Sequence, residues 1–202
     1  MNQFVENPDS REIVPLTVEQ YHGMLAAGIL AEGEPIELLD GLLVLRSRGE
    51  GRTTHPQHAL AVSKLTMLLV AAVAGTRCHV RVQSPVTLPP RDEPEPDLAI
   101  IMGLPADFAD RHPGPADVTC VIEVAGASLE RDRTVKQRIY AAADIPQYVI
   151  VNLVQSRVEV FEKPDSAKGR YLWRAEIAGG KEVALLLPEN RRLPVAVVDC
   201  LP

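Results

Sequence analysis

Apolar residues recur along this chain in two rhythms, one helical and one extended, and their succession predicts an α/β domain. From Thr17 to Leu30 the positions Val18, Tyr21, Leu25 and Ile29 fall three and four residues apart. That is the spacing of one helix face, with Thr17 placed as its N-cap behind Pro15. IELLDGLLVLRS follows, two apolar runs about Asp40-Gly41, the dipeptide that supplies positive φ in a tight hairpin turn. His58 to Ala74 is apolar nearly all round and meets Gly75 in a C-cap position, which predicts a central, mostly buried helix. RCHVRVQ and SPVTL read as short strands, PPRDEPEP as a turn, and Asp97 to Ile101 as a strand that Asp97 opens.

The stretch AIIMGLPADFADRHPGPAD is punctuated by Gly and Pro and reads as a surface loop, after which VTCVIEVA is β-branched enough for a central strand carrying Glu123. SLERDRTVKQRIYAAAD is helical up to Ile145-Pro146, and QYVIVNL is a second buried strand. Together they form a strand–helix–strand crossover. RVEVFEK, RYLWRAEI, KEVALLLP and LPVAVVDCLP read as antiparallel strands and turns closing the sheet. With no repeat and no linker, the expectation is one domain over residues 16–202 behind a flexible arm at 1–15.

Composition changes this picture little. Hydrophobic residues at 46% and charged residues at 24% are ordinary globular usage, so disorder and fibrous repeats are excluded. Cys78, Cys120 and Cys200 are scattered, without the spacing of a disulfide framework or a thiolate zinc site, which fits a reducing cytoplasm. The N-terminus lacks the basic and apolar regions of a secretory signal, and the apolar run Leu65 to Ala74 is too short to span a bilayer, so no membrane association is expected. A net charge of −6 opposes strong nonspecific nucleic-acid binding. Carboxylates gathered at a metal site would contribute to that sum, however, and a bound cation would reverse the local field.

The candidate chemistry lies in the order Pro96-Asp97, then Glu123 on a strand, then Lys136 on the following helix. Two carboxylates converging from adjacent strands can hold a Mg²⁺ or Mn²⁺ that keeps waters and binds a phosphate oxygen. Such an ion activates a water and stabilises the charge of phosphoryl transfer. Lys136 would orient the attacking group or neutralise the phosphate. A site of this kind hydrolyses phosphodiesters.

The segments IELLDGLLV, His58 opening its helix, PEPDLAII, VIEVAGASLERDRTVKQRIYAAADIPQYVIVNL and the final VVDCLP resemble, nearly end to end, the Uma-two family of bacterial restriction-endonuclease-like PD-(D/E)XK proteins. The resemblance implies a mixed β-sheet core flanked by helices with additional antiparallel strands, and a metal-dependent endonuclease acting on DNA, with one site per strand in a homodimer. In the PD-(D/E)XK pattern the lysine follows the second acid by two residues, where this chain has Ala125. The resemblance moves that lysine to Lys136, within an Asp132 to Lys136 element. It also places Glu37 and His58 around the site as a further acid and a phosphate or water contact, and leaves Val149 where the family often has Trp.

Each of these residues has an ordinary structural alternative. Asp97 after a proline can cap its own backbone, and Lys136 can form a helix-surface pair with Asp132. His58 can bond locally, and Glu37 can be a solvated hairpin residue. Glu123 among apolar neighbours needs an open face or a cation, because a buried lone carboxylate is costly. A zinc pair of His55 and His58 lacks further ligands. The basic stretch RDRTVKQR is either a solvated helix face or the phosphate-facing surface. At the level of function, the alternatives are an inactive nuclease-fold binding or assembly protein and a nuclease acting on RNA or structured DNA.

Overall fold

The computed structural model describes residues 5–6, 12–31, 33–46 and 55–202. Of the arm expected over residues 1–15, residues 1–4 and 7–11 lie outside that description, while β1 (Val5–Glu6) and β2 (Glu12–Ile13) pair antiparallel. Helix α1 (Val18–Ala26) opens on a full capping box, Thr17 and Gln20 each bonding the other's backbone N–H. The hairpin turns at Asp40-Gly41 between β3 (Ile36–Leu39) and β4 (Leu42–Leu45), and both turn residues take positive φ. Its last predicted residue, Ser47, lies outside the described residues.

Helix α2 (Pro56–Val73) begins two residues earlier than the pattern suggests, because Pro56 is preset for a first helical position and His55 accepts the Gln57 N–H as N-cap. It is less buried than expected. Ala61, Val62, Leu65, Leu69 and Val73 enter the core, while Leu60, Val70 and Met67 face out, Met67 being 76% exposed. By length and composition alone this helix could cross a membrane, yet its buried stripe belongs to the packed core.

A six-stranded mixed sheet runs in the order β10-β9-β8-β7-β6-β5, built from β5 (Cys78–Val82), β6 (Leu98–Met102), β7 (Val118–Ala125), β8 (Gln147–Asn152), β9 (Arg157–Asp165) and β10 (Arg170–Ala178). Only β7 and β8 are parallel, as a crossover through a helix requires. That crossover is α3 (Leu129–Arg131), a π-helical turn (Asp132–Lys136) and α4 (Gln137–Ala142). β7 and β8 are buried along their whole length, as continuous β-branched runs in central strands should be.

The two faces of the sheet carry separate cores. Cys120, Ile122 and Val124 of β7 face α2, whereas Val121 and Ala125 face Ile139 and Tyr140 of α4. SPVTL is not a strand. Val86 and Leu88 are buried, but Leu88 makes only an isolated bridge to Asp92. The C-terminal segments do not extend the sheet either: β11 (Glu182–Leu186) and β12 (Arg192–Ala196) form their own ribbon, and VVDC is a short helix, α5 (Val197–Cys200). Lys64 of α2 fixes that helix end by donating to the carbonyls of Val198 and Leu201.

Candidate active site

A cavity of about 440 Å³ opens where β6 and β7 meet the first turn of α2, the β3–β4 hairpin and the π turn. Glu37, His58, Asp97, Glu123 and Lys136 all line it. Asp97 stands one residue ahead of β6, and because Leu98 pairs with Ile122 it lies beside Glu123 of β7. It does not cap its own backbone. Its Oδ2 accepts the Val124 N–H at 2.9 Å and meets His58 Nε2 at 3.1 Å, while Oδ1 accepts from Gln83 at 3.2 Å. Burial would raise the Asp97 carboxyl, but the hydrogen bonds from His58, Val124 and Gln83 outweigh it and hold the group below its ordinary range.

Glu123 occupies the face of β7 that alternation assigns to the α4 side. Its Oε1 accepts from Lys136 Nζ and from the Tyr140 hydroxyl, both at 2.9 Å. Lys136 also pairs with Glu37 at 2.7 Å. Lys136 is 4% exposed, Glu37 1% and Asp132 2%, so neither the solvated hairpin glutamate nor the helix-surface pair describes these residues. The π turn brings Asp132 and Lys136 inward together, and the Tyr148 hydroxyl secures it by donating to the Asp132 carbonyl at 3.0 Å. Glu37 in turn accepts the Glu95 N–H at 2.8 Å, tying the hairpin to the strand entrance.

Charge in the cavity is unevenly balanced. Burial opposes the Lys136 ammonium, yet Glu123, Glu37 and Asp132 overcome it and keep the lysine charged above its ordinary range. One lysine cannot cancel all the acids. Burial, together with Asp132, Asp97 and Glu37, pushes the Glu123 carboxyl up to about 8, and burial likewise raises Asp132. Five carboxylates line the cavity among the described residues, from Glu37, Glu95, Asp97, Glu123 and Asp132. Hard oxygen donors crowded beyond their own cations suit a divalent ion, with Asp97 and Glu123 as the residues that could hold it. Among the described residues no group of three or more His, Cys, Asp or Glu side chains is arranged to hold a metal ion. An ion held by two carboxylates would keep most of its coordination in water.

Sequence reasoning passed over several members of this site. Glu95 lies two residues before Asp97 in the same PEPD turn and binds Arg46. Tyr140 follows Lys136 by one α-helical repeat, and Gln83 reaches Asp97 from the end of β5. The i, i+4 spacing was the available signal for Tyr140. Nothing local marks Gln83, whose role depends on strand register. His55 serves as the α2 cap.

Residues 18–196 match the family model of Uma2, described as “Putative restriction endonuclease”. Among solved structures, “a putative nuclease belonging to DUF820 from Anabaena variabilis ATCC 29413” superposes with a TM-score of 0.67 at 13% identity, covering 92% of this chain and 97% of that one. That likeness establishes the fold. No curated protein matches the sequence. The family match takes in the hairpin, the central helix, both central strands and every residue of the cavity, and the chain belongs to the Uma2 family of restriction-endonuclease-like nucleases.

Proposed function

We propose that the protein is a Mg²⁺- or Mn²⁺-dependent endonuclease that hydrolyses DNA phosphodiester bonds, with Asp97 and Glu123 holding the ion and Lys136 assisting. The observation that carries this reading is the approach of Lys136 Nζ to 2.9 Å from Glu123 in the cavity that also holds Asp97. A lysine from the next helix thus stands beside the second acid although the strand itself offers Ala125 two residues on. When bound, the ion supplies Lewis acidity, activating a water and stabilising charge on the phosphoryl oxygens.

The remaining steps belong to the chain itself. His58, Gln83 and the Val124 N–H fix both oxygens of Asp97, so its orientation is set before substrate arrives. Tyr140 and Lys136 hold Glu123 by donating to its Oε1. Glu37 keeps Lys136 charged and positioned, which leaves the ammonium as a point charge for the phosphate or the attacking water. Cutting both strands of a duplex calls for two such sites, and a homodimer supplies them.

The test is plasmid nicking with Mg²⁺, Mn²⁺ or EDTA, beside Asp97→Ala and Lys136→Ala variants shown by circular dichroism to be folded. Metal-dependent nicking by the wild type, lost in both variants, is the expected result. The net charge of −6 favours a second reading, a nuclease-fold binding or assembly module. Folded wild type that cuts neither DNA nor RNA with any metal would establish that module instead.

A further inference from the structure

The cations of RDRTVKQR look equivalent in sequence, but they have different partners. Arg133 donates to Glu159 and Gln155, Arg138 pairs with Asp40, and Lys136 holds Glu123 and Glu37. Arg131 alone of the four combines a place on the cavity wall with the lack of a carboxylate partner among the described residues. Its Nη1 donates to the Leu45 carbonyl of β4 at 2.9 Å, which anchors the guanidinium. Its Nε is buried and has no hydrogen-bond partner among the described residues. Asp132, next in the chain, bonds to Ser128 and feels the Arg131 charge through space, with no ion pair between the two.

A guanidinium presents Nε–H and Nη2–H as a parallel fork that matches two oxygens of a phosphate or carboxylate. In Arg131 the third corner is occupied by Leu45, so the fork is the edge left over. A buried charged donor without an acceptor is unfavourable and rare in folded proteins. An entering oxyanion would relieve it. The other guanidinium on the wall, Arg46, is already bound to Glu95.

We propose that Arg131 binds a phosphate group of the nucleic-acid substrate through its Nε/Nη2 edge and so positions the strand across the cavity. This inference rests on the nuclease reading. It also explains how an acidic chain could hold a polyanion, by one anchored fork beside the metal and not by a broad basic surface.

The experiment measures binding of a short fluorescent DNA duplex in EDTA by anisotropy over a range of salt, so that cleavage plays no part. Arg131→Gln retains a donor for Leu45 and removes the charge and the fork, while Arg131→Lys returns the charge alone. Thermal melting confirms that both variants fold. Arg131→Gln is expected to weaken binding about tenfold or more and to reduce the slope of log K against log salt by about one. Arg131→Lys should recover the slope but remain several-fold weaker. Unchanged affinity and slope in Arg131→Gln would overturn the proposal. If wild type binds no nucleic acid in EDTA, where the cavity carboxylates lack their cation, the nicking assay alone decides the nuclease reading, and thermal melting against inorganic pyrophosphate decides the residue. Stabilisation lost in Arg131→Gln sustains the oxyanion site, and identical responses of the two proteins overturn it.

Discussion

Replacing Lys136 with Met removes the cation that bonds both buried acids, Glu37 and Glu123, and changes little else. Glu37 and Glu123 are 1% and 4% exposed, and both lose an ammonium that stood at 2.7 and 2.9 Å. Methionine nearly conserves volume, so the cavity contribution is small. Breaking a buried ion pair from one side costs about 3–5 kcal/mol. The Tyr140 hydroxyl and the Glu95 N–H still serve the two carboxylates, which places the loss near the lower end of that range. For a domain of this size each kcal/mol moves the melting temperature by about 2–4 °C, so a drop of roughly 6–12 °C is expected. Urea unfolding followed by far-UV circular dichroism at pH 9, where Glu123 is ionised and Lys136 still charged, without metal, measures the free-energy loss. Adding Glu123→Gln to Lys136→Met should restore part of the loss, with a coupling of about 1–3 kcal/mol. A Lys136→Met variant within 1 kcal/mol of wild type, or a strictly additive double variant, would refute the description of a buried lysine compensating two acids.

Asp92 tests burial elsewhere. Its carboxyl is pushed up to about 6 from 3.8, first by burial, so the folded state binds the proton more tightly than the unfolded chain. The ionised group therefore costs stability that grows as pH rises through that window. Asp92→Asn, whose side-chain oxygen can still accept the Asp40 N–H at 2.6 Å, should be about 1–3 kcal/mol more stable than wild type at pH 8 and equal to it near pH 4. A difference that does not vary with pH would contradict this origin. Gly41→Ala should cost roughly 2 kcal/mol or more in chemical denaturation, because φ is +74° and an added Cβ would lie 2.5 Å from the Pro15 Cβ and 2.6 Å from the Leu16 carbonyl. Tyr140→Phe removes a buried hydrogen bond to Glu123 and should cost about 1–2 kcal/mol in the same assay, with nicking reduced and not abolished.

Periodicity and turn chemistry carry much of the fold because they are local. Thr17 with Gln20, Asp40-Gly41 and the apolar run of β7 each specify their element within a few residues. Asp97 and Glu123 stand out in the sequence because a carboxylate at a strand start or inside an apolar strand demands a partner, whereas Lys136, at the end of its π turn, is singled out by the family resemblance. Other features depend on what lies opposite. The outer face of α2 carries Leu60, Met67 and Val70, so composition alone made it look enclosed. SPVTL has strand-forming residues, but its hydrogen bonds go to the turn and loop, with Val86 N–H donating to the Pro94 carbonyl and Thr87 N–H to the Pro113 carbonyl. Glu95 and Gln83 join the site through register and loop path, which no spacing along one chain reveals.

The π turn at Asp132–Lys136 separates two demands placed on one helix. Beyond it, Ile139 and Tyr140 lock into the sheet. Before it, Arg131 is tied to the hairpin. An α-helix advances about 100° per residue, so deleting one residue between these anchors would rotate one against the other by that amount and pull either the foundation or the rim out of place. The wide turn acts as a phase adjuster. It lets the rim of the cavity be set by the hairpin it touches while the lysine behind it keeps the phase of the core.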